Sequence, residues 1–168
     1  MGAGVSNWTL AQALSRLGQL GVVSGTGLEH IFIRRLQDGD PDGHMRRALQ
    51  SFPFPKMAQR ILETYFIPGG KKPRALYPTV GMHALPDKRE LQELCIASNF
   101  VEVFLARENH SNPVGINYLE KIQLPHLPSL YGAMLAGVSV IIMGAGIPFE
   151  IPGALDSLAQ HQTTTYPL

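Results

Sequence analysis

The sequence predicts an α/β fold in which parallel strands are joined by helical crossovers, and three observations carry that expectation. Short β-branched runs alternate along the chain with longer stretches of helical spacing, the pattern of βαβ units. The run "VSVIIMG" (138–144) is apolar at nearly every position, as suits a strand buried on both faces of a parallel sheet. Glycines follow the ends of such runs at Gly25, Gly27, Gly144 and Gly146, on the side where α/β sheets bind ligands.

Taken in order, "SNWTLAQALSRLGQLG" offers Ser6 and Asn7 as N-caps and Leu10, Ala13, Leu14 and Leu17 at helical spacing, with Gly18 or Gly21 as the stop. "GVVSG" reads as a strand over 21–25, and "LEHIFIRRLQDGDPDG" as a helix closed by a Gly/Asp/Pro loop. "PDGHMRRALQSF" and "PKMAQRILETYF" read as two shorter helices, each led by a proline. "IPGGKKPRALYP" is rich in turn residues and lacks periodicity. Asp87 and Glu90 then form a capping box for a long helix with Leu91, Leu94, Cys95, Ser98, Val101 and Leu105 on one face. The end of that segment, "VEVFLAR", fits the period of a strand equally well. A strand over 114–119 ("NPVGINYL"), a helix ("PSLYGAMLAG"), a strand over 138–143, a helix ("PGALDSLAQH") and the start of another strand ("TTTYPL") complete the chain.

With 168 residues, 45% of them apolar, and no repeat, linker or low-complexity tract, residues 1–168 read as a single domain. A net charge of +1 gives no footprint for nucleic acid or an anionic membrane. No apolar run approaches the roughly 20 residues that span a bilayer, and no secretory leader is evident, so the expected location is the cytoplasm. The single cysteine, Cys95, excludes an internal disulfide.

The titratable residues show no catalytic motif. His30, His44, His83, His110, His126 and His161 have no paired spacing on a helix face, so no metal site is assigned. Cys95 lies on the apolar side of its helix and reads as a small buried hydrophobe. "RENH" (107–110) offers a general base or a solvated helix end, and "PGGKKPR" offers Lys71 and Lys72 to a phosphate or simply forms an exposed basic turn. Phosphate-binding glycine loops and a nucleophile elbow are both missing. What remains is a set of glycine turns on one rim of a parallel sheet, with "MGAGVSN" as a third such turn and Asn117 near the end of its strand. An amide there can both donate to and accept from the edge of a heterocycle, so the rim suits a flat, phosphate-bearing cofactor. A complete eight-fold β/α barrel needs about 250 residues, and the alternation here would fill part of one.

"MGAGVSNWTLAQALSRLGQLGVVSGT", "LPSLYGAMLAG" and "MGAGIPFEIPG" together resemble the nitronate monooxygenase family, also called 2-nitropropane dioxygenases, over essentially the whole chain. The likeness is to a branch near the trans-acting enoyl reductases of polyunsaturated fatty-acid and polyketide synthases. The resemblance implies a partial (β/α)8 barrel that binds FMN over the carboxyl ends of its strands. It places Met1, Gly2 and Ala3 in the turn beside the flavin ring, Asn117 of "GIN" within hydrogen-bonding reach of that ring, and Gly144 and Ala145 in the turn after the fourth barrel strand. It also implies that the first barrel strand precedes Met1. The family's catalytic histidine and phosphate turns would follow Leu168, so no catalytic residue is assigned here.

The implied activity is FMN-dependent oxidation of alkyl nitronates to carbonyl compounds and nitrite, with this chain inactive alone. The alternatives are a trans-acting FMN-dependent enoyl reductase acting on an acyl thioester, and a non-catalytic truncated half-barrel that binds a partner or its own copies. Such an open sheet is expected to be poorly stable by itself. The stretch from 38 to 86 is longer than a minimal crossover and has no assigned role.

Overall fold

Asn7 opens the first helix, α1 (Trp8–Arg16), by accepting a hydrogen bond from the Leu10 N–H at 3.0 Å. Its buried residues are Ala11 and Ser15, whereas Leu10, Leu14 and Leu17 are exposed. The apolar spacing in the sequence therefore marks the outer face of α1, a correction with a steric cause. The next element, β1 (Gly21–Ser24), comes so close that a Cβ on Gly21 would lie 1.9 Å from the Ala11 carbonyl oxygen. Only small residues fit at that crossing, so alanine and serine occupy the inner face.

The computed structural model describes residues 2–86 and 88–167. After β1 come α2 (Leu28–Gln37), α3 (His44–Gln50), α4 (Pro55–Tyr65) and the long α5 (Arg89–Arg107). Then follow β2 (Val114–Leu119), α6 (His126–Leu135), β3 (Val140–Gly144) and α7 (Ile151–Ala159). The three strands form one parallel sheet in the order β1-β2-β3, in agreement with the expected α/β class.

The sheet has two unlike faces. Val23, Val114, Ile116 and Tyr118 point into a core shared with Leu28 of α2, Val103 of α5, Leu130 of α6 and Ile151 of α7. On the opposite face Ser24, Asn117 and Ile142 stand in one register row. Val140 and Ile142 remain 38% and 37% exposed there. The outer edge of β1 is partly closed by the N-terminal segment: the Ser24 N–H donates to the Ser6 carbonyl at 2.8 Å, and the Ser6 hydroxyl donates to the Val22 carbonyl at 2.6 Å.

Residues 38–86 supply a second core. Met45, Leu49 and Phe52 from α3 and its exit, with Ile61 of α4, pack against Phe32 and Leu36 of α2 and against Leu94 and Phe100 of α5. The irregular stretch 66–86 then folds back over α2. The Lys71 N–H donates to the Gln37 carbonyl at 2.8 Å, the Tyr77 hydroxyl to Asp38 at 2.7 Å, and the Arg34 guanidinium to the Pro78 carbonyl at 3.0 Å.

Several local expectations need correction. Pro55 starts α4 as proposed, but Pro41 lies in a turn, and α3 begins only at His44 after Gly43 in left-handed backbone. "VEVFLAR" is helical because its residues extend α5, whose buried positions lie against the second core as well as the sheet. Asp87 lies outside the described residues, and the cap position Lys88 makes no side-chain cap bond. "TTTYPL" forms no strand among its described residues. Pro167 lacks a ladder donor, and Tyr166 is held through its side chain, its hydroxyl donating to Glu120 at 3.1 Å.

The Glu102 carboxylate, 2% exposed, joins three helices. It accepts both guanidinium arms of Arg35 on α2, and it caps the first turn of α1 by accepting the Trp8 N–H at 2.8 Å. Glu102→Ala would leave a half-buried guanidinium and a backbone donor unmet, so it should lower unfolding free energy by about 3–5 kcal/mol. Glu102→Gln should cost less. Urea unfolding of the three proteins checks this.

Candidate functional site

The carboxyl ends of the three strands meet at one rim. β2 and β3 pair so that Asn117 stands beside Ile142 and Leu119 beside Gly144. The Asn117 side chain donates to the Ile142 carbonyl at 3.4 Å, on the face away from the helices. The Glu120 N–H donates to the Gly144 carbonyl at 2.7 Å, which fixes the turn after β3 against the end of β2. Asn117, Gly144 and Ala145 are thus brought together on adjacent strands. Gly2 and Ala3 lie beyond β1 on the same rim, where a Cβ on Gly27 would contact the Ala3 methyl at 3.7 Å. Met1 lies outside the described residues.

The rim glycines have different reasons to be glycine. A Cβ on Gly25 would strike the Tyr118 ring at 2.3 Å, and Gly27 is in left-handed backbone, so both are fixed by the fold itself. At Gly144 an added Cβ would meet nothing within 4 Å. Its neighbour Ala145 adopts φ +62°, where an L side chain costs roughly 1–2 kcal/mol. Strain of this kind concentrates at ligand-holding turns, and here it sits over an open approach.

A second feature lies on the helix side of the rim. A cleft of about 810 Å³ runs between the β1–α2 turn, the segment carrying Met82, His83 and Leu85, and the loop of residues 121–125. At its base, ligand atoms of Glu29, His83 and Cys95 lie within 4.8 Å of one another. No sequence motif signals this cluster, because its members come from α2, the irregular stretch and α5.

Two other groups border the rim. The Tyr118 hydroxyl lies 2.8 Å from Asn99 Oδ1 and 3.0 Å from the Ser129 carbonyl, and burial pushes its pKa well above the ordinary phenol value. His126, 2% exposed, lies with Nε2 3.1 Å from the Leu119 carbonyl. Burial lowers its pKa below the usual imidazole value, against the opposing pull of that carbonyl and of Glu120. Elsewhere, Glu108 of "RENH" is paired with Arg47 at 2.7 Å, and Lys71 Nζ lies 4.5 Å from the Tyr77 ring centroid. Both have structural partners.

Compared with known proteins, the chain matches no family model, no curated protein and no solved structure. No described helix is long and apolar enough to cross a membrane.

Two outcomes follow. Ala145→Gly should relieve the left-handed strain and raise unfolding free energy by about 1 kcal/mol, read from the denaturation midpoint. Because the folded-state pKa of His126 is depressed, its contribution is intact above the ordinary imidazole value of 6.5 and is lost as pH falls through the lowered one. Melting temperatures should therefore decline on acidification below pH 6.5, and His126→Gln should flatten that decline.

Proposed function

We propose that this chain is the N-terminal half of a (β/α)8 barrel that binds FMN at the rim formed by Asn117, Gly144 and Ala145. The strand order supports the barrel reading. Consecutive strands run β1-β2-β3 with the packed helices on one face, a singly wound sheet, whereas doubly wound folds reverse strand order and carry helices on both faces. The helix-free face would then line the barrel interior.

The observation that carries the cofactor reading is the juxtaposition of the Asn117 amide with the open, strained turn at Gly144 and Ala145. A flat heterocycle seated there would meet a donor-acceptor amide, apolar surface from Val140 and Ile142, and backbone unobstructed by a Cβ at Gly144. Those residues fit the ring of a flavin. Gly2 and Ala3 would border it from beyond β1.

Bound FMN would supply the redox chemistry, and this chain would orient the ring and exclude water from one side of it. The substrate class is an alkyl nitronate, oxidised to a carbonyl compound and nitrite, or alternatively an enoyl thioester reduced with a nicotinamide donor. The exposure of Val140 and Ile142 also suits the second reading, a non-catalytic half-barrel whose open face is covered by a partner or a second copy.

Titrating FMN into the full chain should quench flavin fluorescence saturably. Asn117→Ala should weaken binding about tenfold, the worth of one good hydrogen bond. Gly144→Val, which fills the open approach, should abolish it. A saturating wild-type response that both variants retain, or no wild-type response, would overturn the FMN reading. A colourless dimer would favour the partner-binding alternative.

A further inference from the structure

The Glu29, His83 and Cys95 cluster lies on the helix side of the rim, apart from the proposed flavin face. The Glu29 side chain is only 9% exposed. Among the described residues it accepts no hydrogen bond, and its one ionic partner is the half-exposed His30 imidazole at 3.8 Å, charged only when protonated. Its place in the first turn of α2 gives it some support from the helix dipole, but that supplies no hydrogen bond. The Glu29 carboxylate borders the open cleft, where a cation can reach it.

Cys95 is fully buried, which removes it from direct attack on a substrate in the cleft. Its surroundings suit a ligand instead. The sulfur lies 3.1 Å from the Ser129 hydroxyl and 3.7 Å from the Asn99 amide nitrogen, two groups able to donate to a thiolate. Glu29 and His83 line the cleft, with the sulfur behind them. One carboxylate oxygen, one imidazole nitrogen and one thiolate sulfur form a donor set suited to a borderline divalent ion.

We propose that Glu29, His83 and Cys95 bind a Zn²⁺-class ion whose fourth coordination position opens on the cleft. Bond lengths of about 2.0–2.3 Å place atoms bound to one zinc roughly 3.3–3.7 Å apart, so the ligands, now within 4.8 Å, close in by about an ångström. His83 can supply that movement, because it sits in irregular backbone. The ion would tie the 66–86 stretch to α2 and α5 and place a Lewis acid at the base of an otherwise largely apolar cleft. The proposal does not depend on the flavin reading.

Cobalt(II) alone, added to the full chain, tests it. The expected result is one Co²⁺ per chain, with intense visible bands of low coordination number and a near-ultraviolet thiolate charge-transfer band, all lost when Zn²⁺ is added. Cys95→Ser should remove the charge-transfer band. His83→Ala, in a segment outside any helix or strand, should keep the far-ultraviolet spectrum and weaken Co²⁺ binding at least about tenfold, whereas His161→Ala should leave it unchanged. A weak octahedral spectrum without charge transfer, wild-type bands in His83→Ala, or equal loss in His161→Ala would overturn the site. Flavin binding is read separately, by fluorescence, so failure of one proposal is distinguishable from failure of the other.

Discussion

The structure turns on the Glu102 carboxylate. A charge buried in the middle of α5 is stable only with its partners in place, and those partners are the guanidinium of α2 and the first turn of α1. Both flanking helices are therefore docked on α5 at fixed positions. β1 is held in turn by the close crossing of Gly21 under α1, and β2 by its register with β1. An apolar contact in place of Glu102 would tolerate sliding, but a two-armed ion pair with a backbone donor does not.

That fixed frame is what gives the rim its asymmetry. On the helix side the rim is crowded: Tyr118 fills the space over Gly25, and α6 packs behind it so tightly that a Cβ on Gly132 would lie 2.1 Å from the Ile96 carbonyl oxygen. On the other side, Gly144 and Ala145 stand over unfilled space with Asn117 beside them. Glycine after a strand thus has two meanings in one molecule, steric necessity at Gly25 and open approach at Gly144. Sequence alone gives both the same letter.

Much of the fold was legible for simple reasons. β1 and β3 are β-branched runs closed by glycine, β2 carries Val114 and Ile116 after Pro113, and Asn7 caps α1 as its residue type suggests. Failures arose where tertiary packing overrode local pattern. Leu10, Leu14 and Leu17 formed a regular stripe but ended outside, because only Ala11 and Ser15 could approach Gly21. "TTTYPL" has strand propensity, yet Tyr166 is engaged through its hydroxyl with Glu120. At the rim, Asn117 and Gly144 were readable because each ends a strand. The Glu29, His83 and Cys95 cluster was not, since the 66–86 stretch that delivers His83 has no periodicity to say where it lands.

The burial of the chain's single cysteine has a practical consequence. Cys95 lies behind a wall that includes His83 of the irregular 66–86 stretch, which is fastened to α2 and its C-cap by a few hydrogen bonds at Gln37, Asp38 and Arg34. A thiol reagent can reach the sulfur only after that wall or the core beneath it opens. With no second thiol to confuse the signal, the labelling rate becomes a clock for the opening of the cleft. The protein carries its own reporter of how often that face breathes.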